Sequence, residues 1–409
     1  MRNGAAIKRS HSVDRVAAAA AAVGVIGLFL PFLGYRETRI ASAVSRSLWE
    51  STQPVLIAFL IVLLLAPAVI MGIDKSRMKR GNRIGRKHLL GILGNCIIIA
   101  VFLITAQTAQ RILDSGTAAH ARISIGAGAW LLAFSGYLHI MNAAKKINGS
   151  RLATYLINFL WIITLIILFA AGTFNSLSIV QEYSVRKSRF FQELLNHISI
   201  ASVSVGIALL LGIPAGILAY RNKTAGPLVF TFVNTIQTVP SLALFGLLIA
   251  PLSYISQNSA FLRAIGIRGI GRAPAVIALT LYALLPITRN TYTSLKNLAA
   301  ATLEAGTAMG MSRFQRLRII ELPLAVPVIA SGIRTAMVQV IGNTTVAALI
   351  GAGGLGFFVF QGFGQAAPDM ILLGALPVIV LAVAVDRIMR AVIKLITPKG
   401  IGHWLEGEL

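Results

Sequence analysis

Residues 304–323 read EAGTAMGMSRFQRLRIIELP. The segment is too polar to rest in hydrocarbon, yet a fresh apolar run begins at 324. Its residues predict two short helices that meet at Gly310. Ala299, Ala300, Ala301, Leu303 and Ala305 give the first helix a small-residue surface able to seat closely in a partner's groove. Gly310 supplies the positive φ that commonly closes a helix. Ser312, with Gln315 three residues later, makes a capping-box pattern for the second helix. Phe314, Leu317 and Ile320 fall on one face of it, with Arg313, Arg316 and Arg318 mainly on the others. Pro323, better tolerated in a first turn than in a helix interior, predicts the start of the next helix.

The solvent on either side of this segment is lipid. Of 409 residues, 56% are hydrophobic and 12% charged, and the mean hydropathy is +0.79. A span needs about 20 apolar residues, and ten runs qualify: roughly 16–34, 54–73, 89–106, 123–143, 152–174, 198–219, 228–250, 273–288, 324–345 and 369–393. Backbone groups in hydrocarbon must be satisfied within the segment, so the expected fold is an all-α integral membrane protein of about ten helices.

A net charge of +24 invites a nucleic-acid reading, and its distribution excludes one. With the N-terminus inside, the inner segments and the C-terminal end carry 25 Lys and Arg, the outer segments 11. That asymmetry is the positive-inside rule. It places both termini and 304–323 in the cytoplasm, and the basic run 74–88 beside anionic headgroups. The first apolar run lacks a small-residue cleavage site and is expected to be a retained anchor. Cys96 is the only cysteine, so no disulfide is expected, and the six histidines show no metal-ligand spacing. Neither metal nor cofactor is expected.

The 304–323 stretch resembles the cytoplasmic EAA loop of membrane subunits of bacterial ABC importers. Glu304, Ala305, Gly310, Ile320, Leu322 and Pro323 fall in register with that motif, and Gly306 stands for its second alanine. A narrower resemblance, to permeases for glycine betaine, choline and related osmoprotectants, begins with HISIASVSVGIALLLGIPAGILAYR (197–221) and VNTIQTVPSLALFGLL (233–248). PITRNTYTSLKNL (286–298), ELPLAVPVIASGIRTA (321–336), GAGGLG (351–356) and ITPKG (396–400) continue it. It covers about half the chain. The expected organisation is an accessory membrane region over 1–189 with about five spans, a permease domain over 190–400 with five spans, and a cytoplasmic tail over 401–409.

Other motifs are set aside on physical grounds. GAGGLG satisfies a dinucleotide fingerprint but follows a membrane span, without the strand and helix of a βαβ unit. It reads better as a glycine turn for close packing. Gly212 and Gly216 read as a helix-packing face. No P-loop sequence occurs, so ATP hydrolysis is expected in another polypeptide. Asn234, Gln237, Thr238 and Ser241 recur at helical spacing in the seventh run, and Thr335, Gln339 and Asn343 in the ninth. Such stripes line a translocation path or bond between helices. Arg334 is expected to snorkel to the cytoplasmic face. The acidic residues are read as lying in loops, tails or near span ends, with Asp386 at one end of the last helix. A secondary carrier would need carboxylates along its path.

The resemblance implies the transmembrane subunit of an importer in a bacterial inner membrane. Separate ABC ATPase subunits would drive it, and an extracytoplasmic substrate-binding protein would supply it. A second copy, or a smaller homologous permease, would pair with it, and no nucleic acid is involved. The implied substrate class is glycine betaine and choline. Alternatives are a permease for an amino acid or other small organic solute, a secondary carrier, and a non-transporting scaffold.

Overall fold

The computed structural model describes residues 15–38, 41–72, 80–116, 120–144 and 151–397. The chain divides into two compact units, Met1–Val185 and Arg186–Leu409.

The first unit contains α1 (Arg15–Phe29), β1 (Leu33–Arg36), β2 (Val44–Arg46), α2 (Leu48–Ser51) and α3 (Pro54–Gly72). It continues with α4 (Arg80–Asp114), β3 (Arg122–Ile125), α5 (Ala127–Ala144), α6 (Arg151–Ala170) and α7 (Ser178–Val185). Glycines let its helices touch backbone to backbone. A Cβ on Gly94 of α4 would lie 2.6 Å from the Gly136 carbonyl oxygen of α5, and one on Gly136 would lie 2.7 Å from that of Gly94. Small residues do this between membrane helices because lipid supplies no hydrophobic drive for their association. The three strands form an antiparallel sheet in the order β2-β1-β3, with Leu33 opposite both Arg46 and Ile125. The apolar periodicity hid this sheet, since Arg122–Ile125 overlaps the start of the expected fourth span.

The second unit is built on α8 (Lys187–Arg221), α9 (Ala225–Thr238), α10 (Ser241–Asn258), α11 (Ala260–Ala264) and α12 (Arg272–Lys296). After them come α13 (Ala300–Ala308), α14 (Arg313–Arg316), a π turn Leu317–Glu321 and α15 (Leu322–Thr344). A 3-10 turn Val346–Ile350, α16 (Gly356–Gly364) and α17 (Pro368–Ile396) complete it. Helix α12 is central, burying Ala275, Ala278, Leu279, Ala283, Ile287 and Leu295 completely. Gly212 and Gly216 of α8 form a packing face against it. A Cβ on Gly216 would stand 2.6 Å from Thr291 Cβ. On its other side Gly332 of α15 lies against the Pro286 carbonyl and Asn290.

Six helices among the described residues are long and apolar enough to cross a bilayer, with three shorter apolar ones at Val16–Phe29, Pro54–Ile70 and Ile157–Ala170. Three sequence expectations change. The eighth run, expected over 273–288, is longer as a helix, because α12 spans 25 residues. Its polar end stays helical because Thr288 bonds the Gly212 carbonyl and Thr291 bonds that of Ile287. The seventh run is not one helix. Pro240 has no N–H and drives Val239 out of the helical region, to φ −74° and ψ 127°, so α9 stops and α10 starts anew. Pro323 stands in the first turn of α15, as expected, although the chain enters α15 directly from the π turn without leaving the helical region. The π turn, in which the Leu322 N–H bonds the Leu317 carbonyl, widens the coil beside the proline. Finally, Asp386 lies well inside α17 and not at its end.

Candidate functional site

The 304–323 segment folds as two helices around a left-handed glycine. Gly310 takes φ 78°, the Met311 N–H reaches the Gly306 carbonyl at 3.2 Å and the Gly310 N–H that of Thr307 at 3.0 Å. These two bonds are a Schellman closure. The Ser312 side chain accepts from the Gln315 N–H while Gln315 accepts from the Ser312 N–H, a reciprocal capping box. Gly306 is buried under Ile320, and a Cβ there would meet Ile320 Cδ1 at 2.7 Å. The expected small face therefore turns partly inward, while Glu304, Ala305, Gly310 and Pro323 are exposed and Leu322 is half-buried. Phe314 is 68% exposed, so it does not share the buried face of Leu317.

A residue not singled out from the sequence holds this segment together. Glu321 is fully buried. Its carboxylate accepts from Arg316 Nε at 2.9 Å and faces Arg221 Nη2 at 3.7 Å. Arg316 donates onward to Thr307 Oγ1 at 2.9 Å, and Arg221 to the Arg313 carbonyl at 3.0 Å. One carboxylate thus fastens α13, α14 and the end of α8. The signal in the sequence was an acid wedged between Ile320 and Leu322.

The polar stripes are rearranged by the break at Pro240. Thr238 ends α9 and Ser241 begins α10, so the stripe does not continue along one helix. Gln237 donates to the Tyr282 carbonyl at 2.6 Å. That carbonyl is free because Pro286, four residues on, has no N–H. The Tyr282 hydroxyl donates to the Val239 carbonyl at the break itself. From α15, Gln339 reaches Gln237 Oε1 at 3.4 Å, joining the two stripes. Thr238 and Thr335 turn back onto their own helices, at the Thr235 and Ser331 carbonyls. Among the described residues the side chains of Asn234, Ser241 and Asn343 make no hydrogen bond, and Asn234 is exposed.

Arg334 has an acidic partner within the unit. Its Nε lies 3.4 Å from Asp386 Oδ1, and Asp386 also accepts from Arg390 at 2.9 Å. A guanidinium among apolar side chains needs a counter-charge, and α17 brings one.

At the far end of the same helices, GAGGLG makes the expected packing turn. Gly351, Gly353 and Gly354 take φ of 77°, 76° and 84°. Glu193 accepts from the Gly354 N–H at 2.6 Å, His197 Nδ1 from the Leu355 N–H at 3.3 Å, and Asn196 donates to the Ala352 carbonyl at 2.8 Å.

Comparison with known proteins decides the family. The model for binding-protein-dependent transport system inner membrane components matches residues 208–398. The osmoprotectant import permease protein OsmW of Salmonella typhimurium is 42% identical over 205 residues, 50% of this chain and 90% of the relative. The chain belongs to that family. The glycine betaine/carnitine/choline transport system permease protein OpuCB of Bacillus subtilis is 37% identical over 50% of this permease and 87% of its own length. The Bacillus subtilis choline transport system permease protein OpuBB is 36% identical over 54% and 95%. The first unit of the permease matches the N-terminal domain model of the ABC transporter permease YehY, over residues 14–180. This chain is therefore an ABC permease, a multi-pass transport subunit, in which the two model matches follow one another along the sequence.

Proposed function

We propose that this permease moves a small osmoprotectant of the glycine betaine and choline class across a bacterial inner membrane, with both termini in the cytoplasm. A separate ATPase pair drives it and an extracytoplasmic binding protein supplies it. The observation that carries the substrate class is the 42% identity to an osmoprotectant import permease across 90% of that relative. The coupling role falls to Glu304, Ala305, Gly306, Gly310, Ile320, Leu322 and Pro323. Their loop presents an exposed small-residue helix on a base fastened by Glu321. The route runs beside Asn234, Gln237, Thr238 and Ser241 on one side of the Pro240 break, and Thr335, Gln339 and Asn343 on the other.

Neutral amides and hydroxyls suit a permanent cation or zwitterion, which they solvate without trapping. The buried carboxylates Glu193 and Glu321 pair with Arg189 and Arg316, buried Asp369 also has a partner, and half-buried Asp386 pairs with Arg334 and Arg390. This speaks against a proton- or sodium-coupled carrier. The test is uptake of labelled glycine betaine, carnitine and choline into proteoliposomes holding the permease, its ATPase and its binding protein. ATP-dependent uptake of at least one, lost when the binding protein is omitted, is expected. Uptake of amino acids alone would transfer the assignment to another solute, and uptake without ATP would remove it from this class.

A further inference from the structure

The second unit has a cavity of about 550 Å³ lined by Arg189, Gln192, Glu193, Asn196, Ser199, Arg272 and the Gly351–Gly353 backbone. It lies at the opposite end of the bundle from the 304–323 loop. Helix α12 starts at Arg272 on the cavity wall and ends at Lys296, four residues before α13. At 1.5 Å per residue the two sites stand about 37 Å apart along that helix.

The two arginines of the wall differ. Arg189 pairs with Glu193 at 2.5 Å and lies over the Phe357 ring at 4.6 Å, so its charge is balanced. Arg272 is exposed, its only side-chain bond is to Ser199 Oγ, and it has no acidic partner among the described residues. It is also the first residue of a helix whose N-cap, Gly271, offers no side-chain cap, so orphan N–H groups add to the positive potential there. Two more donors face no acceptor among the described residues, the Gln192 amide and the Gly353 N–H. The neighbouring amides are spent: Gly351 on Ala348, Ala352 on Ala347, and Gly354 on Glu193.

We propose that this cavity is a binding site for a monocarboxylate, held by the Arg272 guanidinium with Gln192 and Gly353 as further donors. Two arginines against one glutamate leave the wall with a single excess positive charge, which matches one carboxylate and not a phosphate dianion. A planar guanidinium fork fits two carboxylate oxygens. Resting on the function proposed above, the natural occupant is the carboxylate end of a zwitterionic osmoprotectant arriving from outside. Choline, which has no carboxylate, is not held here. The carboxylate chemistry itself does not depend on that reading.

The experiment uses the full chain in lipid nanodiscs, without ATPase or binding protein, and saturation-transfer NMR with acetate, glycine betaine, choline and inorganic phosphate as probes. Acetate and glycine betaine should bind saturably and compete, and choline should give no competing signal. Arg272→Gln should weaken acetate at least tenfold, Arg272→Lys should recover part of the loss, and Gln192→Leu should weaken it severalfold with the charge unchanged. Arg272 is exposed, so an unshifted melting temperature should accompany each variant. Acetate binding that follows Arg272 without competition from glycine betaine supports the site and counts against the substrate class. Acetate binding indifferent to Arg272→Gln overturns the proposal, as does phosphate binding more tightly than acetate. It is equally overturned if acetate fails to bind the unmodified chain.

Discussion

The two ends of the second unit both rest on one buried carboxylate, used in different ways. Glu321 holds side chains: Arg316 and Arg221, which in turn reach Thr307 and the Arg313 carbonyl. Glu193 holds Arg189 with one oxygen and, with the other, the backbone Gly354 N–H of a turn in which a Cβ at Gly353 would collide. Long arginine arms allow the segment they fasten to shift while the ion pair survives. A carboxylate on a backbone N–H fixes its turn to within a hydrogen bond's tolerance. From this contrast we expect the loop end to be the one that moves and the turn end the one that stays.

The most severe way to challenge the moving end is at its exposed surface. Glu304→Lys reverses a charge without touching the core. Gly310→Val puts a β-branched residue at φ 78°, where such residues are genuine outliers. Both variants should reach the membrane and lose essentially all uptake. ATPase activity with saturating binding protein is the readout, and normal stimulation in both would remove the coupling role from this loop.

The comparison itself is sharpened by cutting each carboxylate in turn. Glu321→Ala should lower uptake at least tenfold and leave Arg316 and Arg221 facing each other. Breaking a buried pair costs about 3–5 kcal/mol, and the low end applies because Arg316 and Arg221 keep 27% and 33% of their side-chain surface exposed. Glu193→Ala should lower the melting temperature, since an orphaned buried N–H costs about 1–3 kcal/mol, while ATPase stimulation persists. The opposite pattern, with Glu193→Ala uncoupling and Glu321→Ala only destabilising, would reverse the assignment of the two ends.

Single methyl groups give a finer test. At Gly353 a Cβ would sit 2.6 Å from Asn196 Nδ2 and 2.7 Å from Glu193 Oε2 on a backbone at φ 76°. Gly353→Ala should therefore cost about 2 kcal/mol in thermal unfolding, combining left-handed strain with a clash against groups already bonded. At Gly306 the obstacle is the flexible tip of Ile320, so Gly306→Ala should cost about 1 kcal/mol or less. Equal losses would erase the difference between a rigid and a yielding end. The smallest effect is expected between the ends: Asn234→Leu and Asn343→Leu should reduce the maximal uptake rate a fewfold with little change in apparent affinity. A change in which solute is transported would instead place discrimination inside the permease.

Local geometry was legible where chemistry is local. Gly310, Ser312 and Gln315 write their turn in neighbouring residues, and Gly212 and Gly216 announce a packing face by spacing alone. Apolar runs revealed helices but not their interruptions. The break at Val239 depends on Pro240 finding a tyrosine hydroxyl from α12, and the continuity through Pro323 depends on a π turn. The Arg334–Asp386 pair was hidden because its members lie on different helices and an arginine alone reads as a snorkel. Glu321 escaped notice for the same reason, its meaning being supplied by Arg221 at the end of α8. The three-stranded sheet joins residues far apart in the chain, and its last strand is apolar enough to pass for membrane.

The unbroken passage from Arg313 to Thr344 has a mechanical meaning. A rod of 32 residues is about 48 Å long, and it bears on α12 near Gly332, about 28 Å from the loop end. A lever pivoted there converts a push of about 2 Å at the loop into a tilt of only a few degrees. Work done on the loop would then arrive as rotation of the helix carrying Gln339 and Asn343, on the far side of the fulcrum.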